Sequence, residues 1–359
     1  MLKSLTAAFG AALLLIGAAG CSGEAPKAGA TSTAGINGAG SSFFNPLASQ
    51  WAESYKGAAS ANVNYNSMGS GAGIRQIKAK TVDFGASDKP LTVAELDEAG
   101  LYQFPIVMGG VVPIINVPGV ESGKFTLTGQ VLADIFQAKI KNWNDKAIAD
   151  LNPGVTLPNL PITIVHRADG SGTTYLFTSY LTKVSADWAK NIGGSDAIQW
   201  PAGIGGKGNE GVSAFVAQTQ GAIGYVEFAY AMKTNTPYAN LKNHDGNVVT
   251  PSAETFAAAA SGADWKNAPG NQLLLLDQPG AQSWPITGAV FILMHKEQAN
   301  ADKGKATLAF FDWAYDNGDT AANSLHYVPL PAEVKNLIRE QWATTITAGG
   351  QPIYTAKAQ

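Results

Sequence analysis

The run Phe104-Pro105-Ile106-Val107-Met108-Gly109-Gly110-Val111-Val112-Pro113-Ile114-Ile115-Asn116-Val117-Pro118 carries no charge and is rich in β-branched side chains. A strand with one wet face alternates apolar and polar residues. An unbroken apolar run therefore reads as a strand covered on both sides. A second such run, Trp284–Met294, comes late in the chain. Residues 119–283 separate the two and carry strands at Ile162–Val165 and Ala222–Val226, a helix from Ser171, and an Asp245-Gly246 turn joining two polar strands. An insertion bracketed by two buried strands predicts a second domain set into the first, with the chain crossing twice. One large α/β domain is the alternative.

Upstream, strand-like and helix-like segments alternate. Residues 34–38 read as a strand, followed by Asn45 as helix cap and Pro46 at the first helical position. Leu47, Trp51 and Tyr55 then form one apolar stripe, with Gly57 as the expected stop. Val63 and Tyr65 alternate as in a strand, Ile74 and Ile77 mark a helix, and Val82–Gly85 reads as another strand. Thr92 and Glu95 have the spacing of a capping box. Downstream of Met294 two helical segments contain Leu308, Phe311 and Trp313, then Val334–Trp342. This rhythm predicts an α/β fold with helices on both faces of a sheet. A length of 359 residues suits two domains.

Composition narrows the function. Hydrophobic residues make up 45% of the chain, enough for real cores, while charged residues are only 14% and glycines number 40. A net charge of −3 supplies no basic field for nucleic acid. One cysteine and four scattered histidines (His166, His244, His295, His326) exclude a disulfide framework, a zinc-finger cluster and an iron–sulfur site. At the amino terminus, Lys3, the apolar run from Ala7 to Ala19 and the small residues Ala18-Ala19-Gly20 before Cys21 form a leader pattern. Cys21 at the expected cut resembles a bacterial lipobox, although Ala18 stands where Leu is usual. An ordinary secretory leader is the alternative. Removal of residues 1–20 would leave 23 Lys and Arg against 27 Asp and Glu, a charge of −4. Residues 21–33 are small and polar and read as a tether. Export also takes the chain away from cytosolic ATP.

Three Gly/Ser segments stand where strands hand over to helices: Gly38–Phe43, Gly69–Gly73 and Ala168–Thr173. A helix start leaves about four amides without carbonyl partners and favours negative charge. Glycine permits close approach of a ligand, and Ser or Thr adds hydroxyl donors. Arg167 is the only arginine between Arg75 and Arg339 and has a planar fork suited to an oxyanion. Asp169 can orient that fork, or the two can form a local surface pair; spacing does not decide. Asp88, closing Phe84-Gly85-Ala86-Ser87-Asp88, would repel a bare anion but can accept a hydrogen bond from a protonated one. It also fits a plain turn near Pro90. His166 beside Arg167 reads as structural. Neither a phosphate-binding P-loop, a dinucleotide fingerprint nor a Gly-x-Ser-x-Gly elbow is present: Lys207 is followed by Gly208, Phe43 stands at the third glycine position, and Met68 and Asp169 precede Ser70 and Ser171 where glycine would be needed.

Gly38–Phe43, Val82–Asp88 and Arg167–Thr173, together with Gln103–Pro105, Lys141-Asn142-Trp143, Gly205–Asn209, Gly221–Glu227 and Phe311–Tyr315, closely resemble the phosphate-binding protein family of the bacterial Pst ABC importer, from about Gly35 to Tyr354. The resemblance implies a type II two-lobed periplasmic-binding-protein fold. Each lobe is a mixed sheet flanked by helices, and two crossover strands form the hinge. Lobe one is 34–116 with 288–359 and lobe two is 117–287. It implies phosphate held by Ser42 (where the family usually has Thr), the Phe43 amide, Ser70, Asp88, Arg167, Ser171, Gly172 and Thr173, with Asp169 behind Arg167. It further implies a monomer that is no enzyme, uses no cofactor or metal, and delivers phosphate to an inner-membrane permease and its ATPase. Cys21 adds a lipid anchor in the periplasm or cell envelope. The competing expectations are a receptor for sulfate or another oxyanion, a secreted phosphatase-like enzyme on the same lobes, and a surface protein that has lost its ligand.

Overall fold

The chain opens with repeated strand–helix units, Ile36–Gly40 (β1), Val63–Ser67 (β2) and Phe84–Ser87 (β3), separated by helices Asn45–Ala59 and Ser70–Lys78. The computed structural model describes residues 35–356. The leader, the tether and Cys21 lie outside the described residues. β1 pairs in parallel with both β2 and β3, as strands linked by helical crossovers do.

The uncharged run becomes a single strand, Leu101–Ile115 (β4), buried along its whole length. Later strands are Thr126–Leu127 (β5), Thr163–Arg167 (β6), Ile204–Gly206 (β7), Ala222–Glu227 (β8), Asn240–Lys242 (β9), Val248–Val249 (β10), Leu275–Leu276 (β11) and Ile286–His295 (β12). One mixed sheet has the order β2-β1-β3-β12-β4-β8-β6-β7, with β11 pairing on β12. β4 is the shared member. Its residues 101–110 pair antiparallel with β12, from Leu101 opposite His295 to Gly110 opposite Thr287. Val111–Ile115 then pair antiparallel with β8. A register shift falls at Val290/Phe291, opposite Val107 and Pro105. Pro105 has no N–H to give a ladder, so an irregularity is where a central strand can hold it. The two halves therefore share one continuous ladder rather than forming separate sheets.

Each half has an aromatic core. Phe84, Phe104 and Trp342 surround the first, with Phe104 meeting Trp342 edge-on at 5.0 Å and Phe84 meeting Phe311 at 5.0 Å. Phe177 stacks on Tyr225 at 4.2 Å in the second, with Phe136 at 4.8 Å from Phe177. Truncating such a ring to alanine costs about 3–5 kcal/mol.

Local expectations meet the structure unevenly. The Thr92–Glu95 capping box is present, and the Asp245-Gly246 turn joins β9 to β10. The first helix differs. Phe44, not Asn45, occupies the cap position, without a side-chain bond, and the helix runs through Gly57 to Ala59. It ends where Ser60 turns left-handed and its N–H reaches the Lys56 carbonyl. An isolated glycine costs a helix only about 1 kcal/mol, which the packing of Trp51 and Tyr55 outweighs. Among the described residues no helix is long and apolar enough to cross a membrane.

Candidate functional site

The loops leaving the carboxyl ends of β1, β3, β6 and β7 meet at one point. In open α/β sheets this is where strand order reverses and ligands sit. β1 delivers Ser41, Ser42 and Phe43; β3 delivers Asp88; β6 ends in Arg167 and leads to Ser171–Thr173; β7 leads to Asn209. Ser70 opens the helix after β2, behind Gly69 at φ 86°, a left-handed conformation open to glycine.

Asp88 stands at the centre of the cluster. It is 1% exposed. Ser41 Oγ donates to its Oδ1, and Thr173 Oγ1 donates to its Oδ2 at 3.3 Å. Its own N–H donates to Ser70 Oγ at 3.2 Å. Burial pushes its pKa up to about 7, although the hydroxyls of Ser41 and Thr173 and the charge of Arg167 pull the other way.

Arg167 is 4% exposed. Its Nε and Nη2 donate to Asp169 Oδ1 and Oδ2 at 2.9 and 2.6 Å, a bidentate pair, while Nη1 is buried with no partner among the described residues. Asp169 Oδ1 also accepts the Gly208 N–H at 3.0 Å. The pair is thus enclosed rather than a surface contact.

Ser171 caps the helix Gly172–Val184, its hydroxyl accepting from the Thr174 N–H at 3.0 Å. The N–H groups of Gly172 and Thr173 begin that helix and have no carbonyl one turn behind them. Gly172 is required by close approach. A Cβ there would lie 2.6 Å from Ser70 Oγ and 2.7 Å from Asp88 Oδ2. Ser42 Oγ accepts from the Asn209 backbone N–H at 3.0 Å and from its Nδ2 at 2.8 Å. Phe43 is buried, and its carbonyl accepts from Tyr327 Oη at 2.6 Å. All eight expected ligand residues are therefore brought to one cluster, with Asp169 beside Arg167. His166 stands apart. It stacks on Trp200 at 5.0 Å, and burial lowers its pKa.

Several partners escaped sequence reasoning. Ser41 lies in the first Gly/Ser segment, but nothing distinguishes it from Ser42 as the serine facing Asp88. Asn209 is fully buried and bonds Ser42, Thr173 and Glu227. Glu227, also fully buried, caps the helix Phe228–Thr234. Tyr327 Oη lies 3.1 Å from its Oε2 and 2.6 Å from the Phe43 carbonyl. The Phe43 carbonyl can only accept, so it takes the single tyrosine proton, and the contact with Glu227 then needs a proton on the acid. Burial without a cation pushes the Glu227 pKa well up, in the same sense. Glu227 closes a segment that carries the family resemblance, but no local pattern joins it to Tyr327, a hundred residues away.

The cluster is sealed: Ser42, Ser70, Asp88, Arg167, Ser171 and Thr173 are all at most 4% exposed. A surface cleft of about 300 Å³ lies elsewhere, near Met108, Trp265 and Pro331. No group of three or more His, Cys, Asp or Glu among the described residues could hold a metal ion. Chemically the arrangement is a set of hydroxyl, amide and guanidinium donors around the buried Asp88.

A mixed α/β sheet with a donor-lined site at its switch point defines a ligand-binding protein of the PBP superfamily, whose domain model matches residues 25–317. The phosphate-binding protein PstS of Xylella fastidiosa is 53% identical over 319 residues, covering 89% of this chain and 88% of that one. That of Haemophilus influenzae is 49% identical over 311 residues, covering 87% and 93%. The chain belongs to the PstS family of phosphate-binding proteins. Solved structures agree in fold. The periplasmic phosphate-binding protein PfluDING, bound with phosphate, superposes with a TM-score of 0.71 at 23% identity, covering 90% of this chain and 99% of that one. A phosphate-binding protein from Stenotrophomonas maltophilia does so at 0.67 and 22%, covering 89% and 97%.

Proposed function

We propose that this protein is the receptor of a phosphate ABC importer, capturing inorganic phosphate between two lobes, 34–116 with 288–359 and 117–287. The observation that carries the reading is a buried Arg167 Nη1, with no partner among the described residues, in the same cluster as a buried Asp88 that keeps acceptor capacity on both oxygens. Phosphate at neutral pH presents both oxygens to accept and a hydrogen to donate. Ser42, the Phe43 amide, Ser70, Arg167, Ser171, Gly172 and Thr173 donate, and Asp88 accepts the ligand proton. Sulfate has no proton and would leave Asp88 facing a lone pair, a mismatch costly in a dry site.

The switch of β4 from β12 to β8 between Gly110 and Val111 supports a hinge there. Contacts across the site, such as the Gly71 N–H on the Gly170 carbonyl at 3.0 Å and Lys89 on Asp196 at 3.2 Å, support a reading in which the lobes close on each other. Ligand bonds to both lobes favour the closed form, and the importer's permease and its ATPase would read it. The relatives are binding proteins, and we assign no catalytic step. In this reading residues 1–20 are removed, Cys21 anchors the monomer to the membrane by lipid, and the protein works in the periplasm or cell envelope. Competition of sulfate and arsenate against phosphate, on wild type and Asp88→Asn, tests the assignment. Phosphate selectivity over sulfate is expected in wild type and weaker selectivity in the variant; equal binding of both anions by wild type would overturn it.

A further inference from the structure

We infer that Asn209 is a positioning residue that makes the Ser42 hydroxyl an obligate donor, and that it thereby sets the site's preference for oxyanion acceptors. The inference rests on the phosphate reading above and deepens it.

Asn209 is fully buried at the start of the helix Gly208–Gln218, and its backbone N–H, its Oδ1 and both hydrogens of its Nδ2 are engaged. The Glu227 N–H donates to its Oδ1 at 2.9 Å. A backbone N–H can only donate, so the atom facing it must be the amide oxygen, and the NH₂ must point the other way. There, Nδ2 has two hydrogens and two acceptors, Ser42 Oγ at 2.8 Å and Thr173 Oγ1 at 3.2 Å. The Asn209 backbone N–H adds a second bond to Ser42 Oγ at 3.0 Å.

A serine oxygen has two lone pairs and one hydrogen. Asn209 fills both lone pairs of Ser42, and no described residue accepts its hydrogen. Ser42 can then only donate, and a group offering a donor of its own at that point meets no acceptor. Thr173 is treated likewise. It accepts from Asn209 and gives its hydrogen to Asp88. One amide thus fixes the donor sense of two hydroxyls, and leaves Asp88 as the acceptor at the centre. Asn209 follows β7 while Ser42 follows β1, so the ordering exists only when these two parts of the sheet are brought together. Because Asn209 Oδ1 accepts from the N–H of Glu227, the last residue of β8 and the one opposite Val111, the same side chain ties donor polarity to the end of the strand that pairs with β4.

A double-mutant cycle tests this: inorganic phosphate is titrated calorimetrically into wild type, Ser42→Ala, Asn209→Ala and the double variant, with Ser42→Thr as the conservative control. Each alanine variant is expected to weaken binding roughly ten- to a hundredfold, and the double variant scarcely more than either single. Ser42→Thr keeps the oxygen and should stay near wild type. Should Asn209→Ala fail to fold, the isosteric Asn209→Asp replaces it. That variant offers acceptors instead of hydrogens to Ser42 and should weaken binding at least as much as alanine would. Costs that multiply in the double variant while wild type binds phosphate overturn the role of Asn209 alone. Absence of phosphate binding by wild type overturns the phosphate reading and this inference together.

Discussion

Asp169 grips Arg167 through both carboxylate oxygens, at 2.9 and 2.6 Å, and leaves the third guanidinium nitrogen buried with no partner among the described residues. A planar fork fixed at two nitrogens can aim the remaining one without losing rotamer freedom when ligand arrives. The cation is committed in advance. Burying an unsatisfied charged donor is expensive in the empty protein, so a ligand that satisfies it gains that cost back as affinity.

Arg167→Lys should therefore be far from conservative. Lysine keeps the charge but cannot both hold Asp169 bidentately and present a separate nitrogen. Phosphate affinity should fall by about 2–3 kcal/mol. Asp169→Asn keeps the shape and weakens the grip, with an expected loss of about 1 kcal/mol. Calorimetric titration checks both; a lysine variant that binds like wild type would refute the geometric role.

The pH dependence of the ligand-free protein follows from Asp88. Burial raises its folded pKa to about 7, from the ordinary carboxylate value of 3.8. Between about pH 4 and 7 the folded state holds a proton that the unfolded chain has released, so stability falls as pH rises through that window and levels off above it. Glu227, also raised by burial, acts in the same direction. Asp88→Asn should raise the thermal midpoint at pH 8 and flatten its decline from pH 5 to pH 8, an effect of order a few kcal/mol. Equal midpoint differences between wild type and variant at both pH values would count against it.

Gly172→Ala separates helix propensity from site geometry. Alanine favours a helix by about 1 kcal/mol over glycine, so the ligand-free protein should keep or raise its thermal midpoint when the halves can part. The new methyl would press on Ser70 Oγ and Asp88, which cannot retreat far. Phosphate affinity is expected to drop more than tenfold. Unaltered affinity would mean that the site is looser than these distances state.

Tyr327→Phe removes one hydroxyl that serves both the Phe43 carbonyl and Glu227. Two buried polar groups lose a partner, for an expected destabilisation of about 2–3 kcal/mol. Urea unfolding should show a lower midpoint at an unchanged slope. A variant as stable as wild type would show that the contact contributes nothing net.

Where sequence reasoning succeeded, the signal was local or periodic. The uncharged run Phe104–Pro118 announces a strand buried on both faces, and β4 is one. Ser171 and Gly172 announce a helix start, and a helix starts there. It failed where competing local rules nearly balanced. Phe44 displaced Asn45 at the cap because its ring packs on Trp51 and Tyr65, at 5.8 and 5.4 Å, and burial of a ring outweighs a cap bond.

The amino-acid sequence by itself determined the α/β alternation, the two apolar crossing strands, and the small set of Gly, Ser, Thr, Arg and Asp segments from which a site could be built. Periodicity, turn chemistry and side-chain donor inventory are properties of neighbours along the chain. Only the tertiary structure decided that Ser41 rather than Ser42 bonds Asp88, that Asn209 orders Ser42 and Thr173, and that Tyr327 reaches Glu227. Those choices depend on which groups share a dry interior, and burial raises the energy of every polar group left without a partner there, however far apart the partners lie in the chain.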